Sequence, residues 1–490
     1  MRRGRNGKKF LKFILNSEKP WLDDDLLLFP MNFNEFVKGR IFIEFVIPAK
    51  AGIQLFQDVL NRAVLFMIVF KKERRSKMGT KKGWWIYGAF FAGLLFLLAG
   101  PAGAQDIKIG VIQPLSGPMA LLGKYSLEGA EVARLELNSK GGVLGKKVEF
   151  VIVDAPDAKA AAAAAEKLCT VDKVKIITGT YSSSLSYAAT NVADKYEVVY
   201  WELGAISDDI TARGFKYVFR TCPAASMYSY SAIQCMAEYL APKIGKKPDQ
   251  IKLGIVYEDS LFGTTQAKFG FEAARKAGII VVADIPYNAK STDLTPVILR
   301  LKSAKPDFLL YPGYFTDQIL FIRQSKELGF DYKIALTTGG SGLKDFGKAL
   351  EDDSEGIGLI GFTSMDVNPK FAKGVKEFAA LHVKLLGKEA DGPYPMMNYM
   401  GTKVLFQAIQ KGGASEPEAV RKGALSIDIP PEGTETGGGV KFDPKTGQNQ
   451  RAVTPVAQWQ NQQMVTVWPE KAAIAKMIFP LPTWAERKKK

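Results

Sequence analysis

The chain has 490 residues, 47% of them apolar and 24% charged, which is enough for two or three domains with sizeable cores. A net charge of +16 would suit a nucleic-acid binder, yet about +8 of it falls in residues 1–77 and Arg487, Lys488, Lys489 and Lys490 crowd the far end. What lies between is mildly basic and has no long basic stripe, which argues against nucleic acid as a partner.

Residues 1–77 hold no sustained hydrophobic period and are expected to be a gene-model artefact or a disordered extension, with Met78 the true start. Residues 78–104 read as a signal peptide. Lys81 and Lys82 supply the positive start, Trp84 to Ala99 an uncharged apolar run, and Ala102-Gly103-Ala104 the small-residue cleavage pattern before Gln105. The run is short for a membrane span, which takes about 20 residues; an uncleaved anchor is the alternative reading. No cysteine stands at the cleavage point, so a lipid anchor is not expected. The mature protein should begin near Gln105 or Asp106 and work in the periplasm.

From residue 106 apolar runs alternate with helical periods. Strands are predicted at 107–113, 147–154, 174–179 and 198–203, with helices at 126–138 and 158–169. The rhythm restarts after residue 225: a helix at 232–240, strands at 252–258, 279–284, 308–312 and 334–337, and a helix at 265–276. Alternation of this kind predicts an α/β fold with mostly parallel sheets. The expected boundaries are an N-terminal lobe of 106–225 plus 362–450, a C-terminal lobe of 226–361 plus 451–482, and a basic tail at 483–490. Late strands at 358–362 and 452–459 predict that the chain crosses between lobes more than once, making a hinge able to close on a ligand.

The serine run Ser182-Ser183-Ser184 leaves the strand at 174–179 and enters a small-residue helix. Ligands of parallel sheets bind beyond the carboxyl ends of strands, and a helix N-terminus there offers free N–H groups to a carboxylate or phosphate. A plain helix cap is the alternative. His382, the only histidine, lies in an amphipathic pattern and is expected on the surface. Cys169, Cys222 and Cys235 have no metal-like spacing and are expected to act as small hydrophobes, and nothing calls for a metal or cofactor.

Taken together, Asp106-Ile-Lys-Ile-Gly-Val-Ile-Gln-Pro-Leu-Ser-Gly-Pro118, Glu128-Gly129-Ala130, Asn138 to Lys146, Ser182 to Ser184, Ile210 to Gly214, Asp259 to Gly263 and Gly313-Tyr314 resemble the leucine/isoleucine/valine-binding proteins of ABC importers. The likeness runs over roughly 106–470. It implies a type I periplasmic-binding fold, two Rossmann-like lobes joined by a three-crossover hinge, working as a monomer and delivering a small molecule to ABC permease subunits. Carried over by position, it implies Ser183, with Ser184 beside it, at the ligand's carboxylate, Gly204 at a backbone contact and Tyr314 on the second-lobe wall.

Three positions depart from the family pattern. Ile206 stands where a threonine is usual, Phe262 where a tyrosine is usual, and Thr338 where a glutamate receives the α-ammonium. Either another acid takes that task or the ligand has no ammonium. Glu202, at the end of the fourth strand, is the one candidate; it either accepts hydrogen bonds from the ligand or pairs with a nearby Arg or Lys. Expected ligands are therefore amino acids, amides or organic carboxylates, tilted away from leucine. A sensory ectodomain and an exported hydrolase are the competing classes, the latter weakened by the lack of a Gly-x-Ser-x-Gly elbow around 181–186 and by the single histidine.

Overall fold

Short β-branched runs such as Ile176–Gly179 (β5) and Val199–Glu202 (β6) are buried along their whole length. That is the pattern of central strands in a parallel sheet covered on both faces. The computed structural model describes residues 106–487, and upstream the backbone of Leu26–Asn32 (β1) and Phe42–Pro48 (β2). Those two pair antiparallel, from Leu26 opposite Pro48 to Asn32 opposite Phe42. The expected signal peptide at 78–104 lies outside the described residues. Among the described residues no helix is long and apolar enough to cross a membrane.

The first lobe carries a five-stranded sheet in the order β4-β3-β5-β6-β7, with β3 at Ile107–Gln113, β4 at Val148–Asp154 and β7 at Val218–Arg220. Every pairing in it is parallel. Helices α1 (Ala120–Ser139), α2 (Ala158–Thr170) and α3 (Ser183–Lys195) connect its strands. The Asp157 side chain caps α2 by accepting from Ala160 N–H at 2.8 Å.

Beyond β7 the chain enters α4 (Ala225–Gln234) and builds a second sheet. Its order is β14-β13-β12-β11-β10-β8-β9. In chain order come β8 (Lys252–Glu258), α5 (Leu261–Ala277), β9 (Ile280–Tyr287), α6 (Thr295–Ala304), β10 (Phe308–Gly313), α7 (Phe315–Glu327), β11 (Ile334–Gly339), α8 (Lys344–Leu350) and β12 (Gly358–Ile360). The chain then returns to the first lobe with α9 (Val375–Leu386), α10 (Tyr394–Gly412) and α11 (Pro417–Leu425). It crosses a last time into β13 (Val456–Gln460) and β14 (Gln463–Trp468), which pair antiparallel on the sheet's edge. Two α/β lobes joined by three passages of chain result.

Three expectations need correction. His382 is fully buried, not on the surface. It stands one turn after Phe378 on α9, where their rings meet edge to face at 5.8 Å, and its Nδ1 lies 2.8 Å from the Lys388 carbonyl. The apolar face of α9, not its polar face, carries the imidazole. The C-terminal residues from 483 are not simply a basic tail, because α12 (Trp484–Arg487) docks through Trp484, whose indole N–H donates to the Phe330 carbonyl at 2.9 Å. The helix expected at 232–240 begins at Ala225 and gives way at Cys235 to a wider turn. Cys222 and Cys235 are buried, Cys169 is half-buried, and all three are free thiols.

Helix α10 packs along α1 in the first lobe. Gly129 on α1 permits it, since a Cβ there would lie 1.9 Å from the Pro395 carbonyl oxygen.

Candidate functional site

The carboxyl ends of β5, β6, β10, β11 and β12 meet around a cleft of about 410 Å³, its open mouth included. Of the eight residues singled out in the sequence, Gly204, Ile206, Phe262, Tyr314 and Thr338 line it. Ser183, Ser184 and Glu202 do not; Ser183 and Glu202 are buried behind its first-lobe wall. Tyr181, Tyr228, Phe362 and Tyr394 complete the aromatic lining, and sequence reasoning named none of them. Tyr181 stands directly before the serine run; the other three come from later parts of the chain, where local pattern gives no spatial cue.

On the first-lobe side, α3 begins at Ser183 with Ser182 as its N-cap, and the Ser182 hydroxyl makes no capping bond. The first-turn N–H groups are thus not consumed by a side chain, and the end of the helix keeps its partial positive charge. Ser183 Oγ accepts from Ser207 N–H at 3.1 Å, tying the helix start to the loop after β6.

That loop is held by two buried ionic side chains working from opposite sides. Glu202 is neither in an ion pair nor turned to the cleft, so both alternatives left open by the sequence give way to a third role. One of its oxygens accepts from the N–H groups of Leu203, Gly204 and Ala205 at 2.9, 2.7 and 2.7 Å. The other accepts from Thr180 N–H at 3.0 Å and Ser186 Oγ at 2.5 Å. At a strand end the following N–H groups turn back over the carboxylate and satisfy it, leaving Gly204 only its carbonyl for a ligand. Arg220, also fully buried and paired in register with Glu202, donates to the carbonyls of Ala205 and Ser207 at 3.2 and 2.6 Å. An arginine ending the apolar strand Val218-Phe219-Arg220 was the one signal that could have found it.

Burial pushes the Glu202 carboxyl up to about 7 against the pull of these hydrogen bonds, and it does the same for Asp317 in the second lobe. In an unfolded chain the two would titrate near 4. Between about pH 4.5 and 7 the folded state therefore binds more protons than the unfolded one, and stability falls as pH rises through that window. Glu202 alone accounts for on the order of 3 kcal/mol of this fall. Denaturant melts at pH 5 and pH 7.5 should show it, and Glu202→Gln should shrink the difference.

The second-lobe wall is built on strand ends that need glycine. Gly339 has φ +100°, and a Cβ there would sit 2.1 Å from the Gly313 carbonyl oxygen. Next to it, Thr338 Oγ1 accepts from Gln266 Nε2 at 2.7 Å, and its backbone carbonyl accepts from Gln318 Nε2 at 2.8 Å. Burial pushes the Tyr314 phenol well above its usual range, and this second-lobe ring meets Tyr181, two residues before α3, at 6.3 Å between centroids.

The lobes also touch directly. Ser207 Oγ lies 2.8 Å from Thr265 Oγ1, Lys344 N–H donates to Asp391 Oδ1 at 2.8 Å, and the Tyr394 hydroxyl donates to the Gly339 carbonyl. Such contacts between lobes describe a closed cleft.

Known proteins were then compared with the chain. A family model described as periplasmic binding protein matches residues 106–463. A "Leu/Ile/Val-binding protein homolog 8" of Brucella suis biovar 1 (strain 1330) is 36% identical over 397 residues, covering 80% of this chain and 98% of its own. Among solved structures, a branched-chain amino acid transporter substrate binding protein from Streptococcus pneumoniae, in complex with isoleucine, superposes with a TM-score of 0.62 at 23% identity, covering 76% of this chain and all of its own. An ABC transporter solute binding protein from R. palustris, in complex with 4-hydroxybenzoate, gives 0.63 at 20% identity, covering 78% and 98%.

Proposed function

The chain belongs to the periplasmic binding protein family, among the homologues of the leucine/isoleucine/valine-binding proteins, and from that premise we propose that it is the extracytoplasmic substrate-binding component of an ABC transporter. It captures a small amino acid, amide or carboxylate between its lobes and releases it unaltered to permease subunits of the inner membrane. It reaches the periplasm through a cleaved signal peptide and works there as a monomer.

One observation carries this reading: a helix N-terminus left without a side-chain cap begins two residues after Tyr181, which lines a cleft whose opposite wall belongs to a second lobe. The first-turn donors of α3 replace the water lost by an anionic group. Hydrogen bonds to a charged group contribute about 1.5–3 kcal/mol each. Closure then excludes solvent and brings Ser207 to Thr265 and Lys344 to Asp391, so the permease meets a surface that exists only when the lobes are together. Bond-making has no place in this scheme, because capture and release need only a difference in affinity between the open and closed forms.

Ser183→Ala tests the anchor. It removes the hydroxyl that ties α3 to Ser207 and should lower affinity by roughly tenfold to a hundredfold, with the protein still folded by circular dichroism. Calorimetry showing unchanged affinity would count against this pocket.

A further inference from the structure

We propose, building on the reading of the cleft as a solute site, that its ligand is an aromatic monocarboxylate without an ammonium group. The lining contains no aspartate, glutamate, lysine, arginine or histidine. What it contains is rings. Tyr228 meets Phe362 at 6.1 Å between centroids, Phe362 meets Tyr394 at 6.0 Å, and Tyr394 meets Tyr181 at 5.6 Å. Tyr181 meets Tyr314 at 6.3 Å, and Tyr314 meets Phe262 at 5.2 Å. The six make an unbroken belt in which each ring is tilted or edge-on to the next, running from α4 past the end of β12 and the start of α10 to the first-lobe wall and then to the second lobe. Faces and edges of opposite polarity arranged this way suit a flat ring placed among them.

Three buried carboxylates behind these walls are already engaged. Glu202 accepts the N–H groups of its own loop, as described. Glu258 accepts from Ser260 N–H at 2.8 Å, Ser260 Oγ at 2.7 Å and Gly263 N–H at 2.7 Å. Asp317 accepts from the Tyr287 hydroxyl and from Tyr314 N–H. None of the three lines the cleft. At the second-lobe end, Thr338 Oγ1 accepts from Gln266 and the Thr338 carbonyl from Gln318, which leaves a hydroxyl proton to donate and one lone pair on each oxygen, neither of them anionic. A ligand ammonium brings three more donors and meets no anionic acceptor there. A ring, with its carboxylate on the first turn of α3, meets matching surface throughout.

The test uses protein freed of co-purified ligand by unfolding and refolding, and calorimetry with two series of probes. Benzoate, 4-hydroxybenzoate and phenylacetate form the first; leucine, phenylalanine and phenethylamine form the second. At least one aromatic acid should saturate the protein, and every ammonium-bearing probe should bind at least about a hundredfold more weakly, as an unpaired desolvated charge requires. Leucine or phenylalanine binding as tightly as the aromatic acids would overturn the ligand class while leaving the solute-binding role intact. Failure of all six probes also overturns the class. If mass spectrometry of the freshly purified protein then finds no released small molecule, the solute-binding reading falls with it. Phe262→Ala, on the second-lobe wall, should weaken the aromatic acids without unfolding the protein, and an unchanged affinity would contradict the belt.

Discussion

Glu202→Ala is expected to cost at least about 4 kcal/mol of stability and to remove ligand binding with it. Five donors converge on this carboxylate: three consecutive N–H groups of the loop after β6, Thr180 N–H at the end of β5, and Ser186 Oγ on α3. Alanine leaves all five without their acceptor in a region where Glu202 is fully buried. An unsatisfied buried donor costs about 1–3 kcal/mol, and several clustered together share water or relax only in part, so the sum is discounted to the lower end. The same substitution frees Gly204 and Ile206, which line the cleft, and the start of α3. Glu202→Gln keeps one carbonyl oxygen for the three loop N–H groups but turns an NH₂ towards Thr180 N–H; a loss of about 1–3 kcal/mol is expected. Urea melts of the two variants should separate these outcomes. If the alanine variant melts like wild type, the carboxylate does not hold the wall.

Tyr314→Ala should be the strongest loss of affinity from a single lining residue that leaves the fold intact. The ring stands at the start of α7, in contact with Phe262 in its own lobe and Tyr181 in the other. Removing it cuts the aromatic belt between Tyr181 and Phe262. Burying a ring of this size contributes about 1.5–3 kcal/mol, which corresponds to roughly tenfold to a hundredfold in the dissociation constant. Because Tyr314 is only partly buried against the core, the midpoint of urea unfolding should move little. Tyr314→Phe should keep most of the affinity, since packing survives; an equal loss in both variants would assign the effect to the hydroxyl instead.

Much of the fold was legible because buried parallel strands read as apolar runs: 107–113, 252–258 and 308–312 became β3, β8 and β10. Helix α10 was not legible. Fourteen of its nineteen residues are buried, so it has no polar face to produce a helical period. The crossing near residue 362 was predicted, but the same covering hid Tyr394, which begins α10 on the cleft. His382 was misplaced for a related reason: a histidine in an amphipathic stretch can sit on either face, and the neighbour that decides it, Phe378 one turn earlier, became informative only once α9 was seen against the first lobe. The role of Glu202 left no trace at all in the sequence, because its partners are mainly backbone N–H groups, which every residue but proline carries. By contrast, the lack of an acid at Thr338 was legible as a departure from the family pattern, and five of the eight residues named from sequence do line the cleft.

The central claim is that a small anionic molecule is gripped between the lobes by the start of α3 and let go unchanged. A crystal structure of the protein with the molecule it carries when purified from its own cells tests this most directly. The expected result is a carboxylate within hydrogen-bonding distance of the Ser183 and Ser184 N–H groups, the rest of the molecule among the rings of Tyr181, Phe262 and Tyr314, and covalent structure identical to that of the compound supplied. A vacant cleft with the molecule bound elsewhere, or a molecule chemically converted by the protein, would contradict the account.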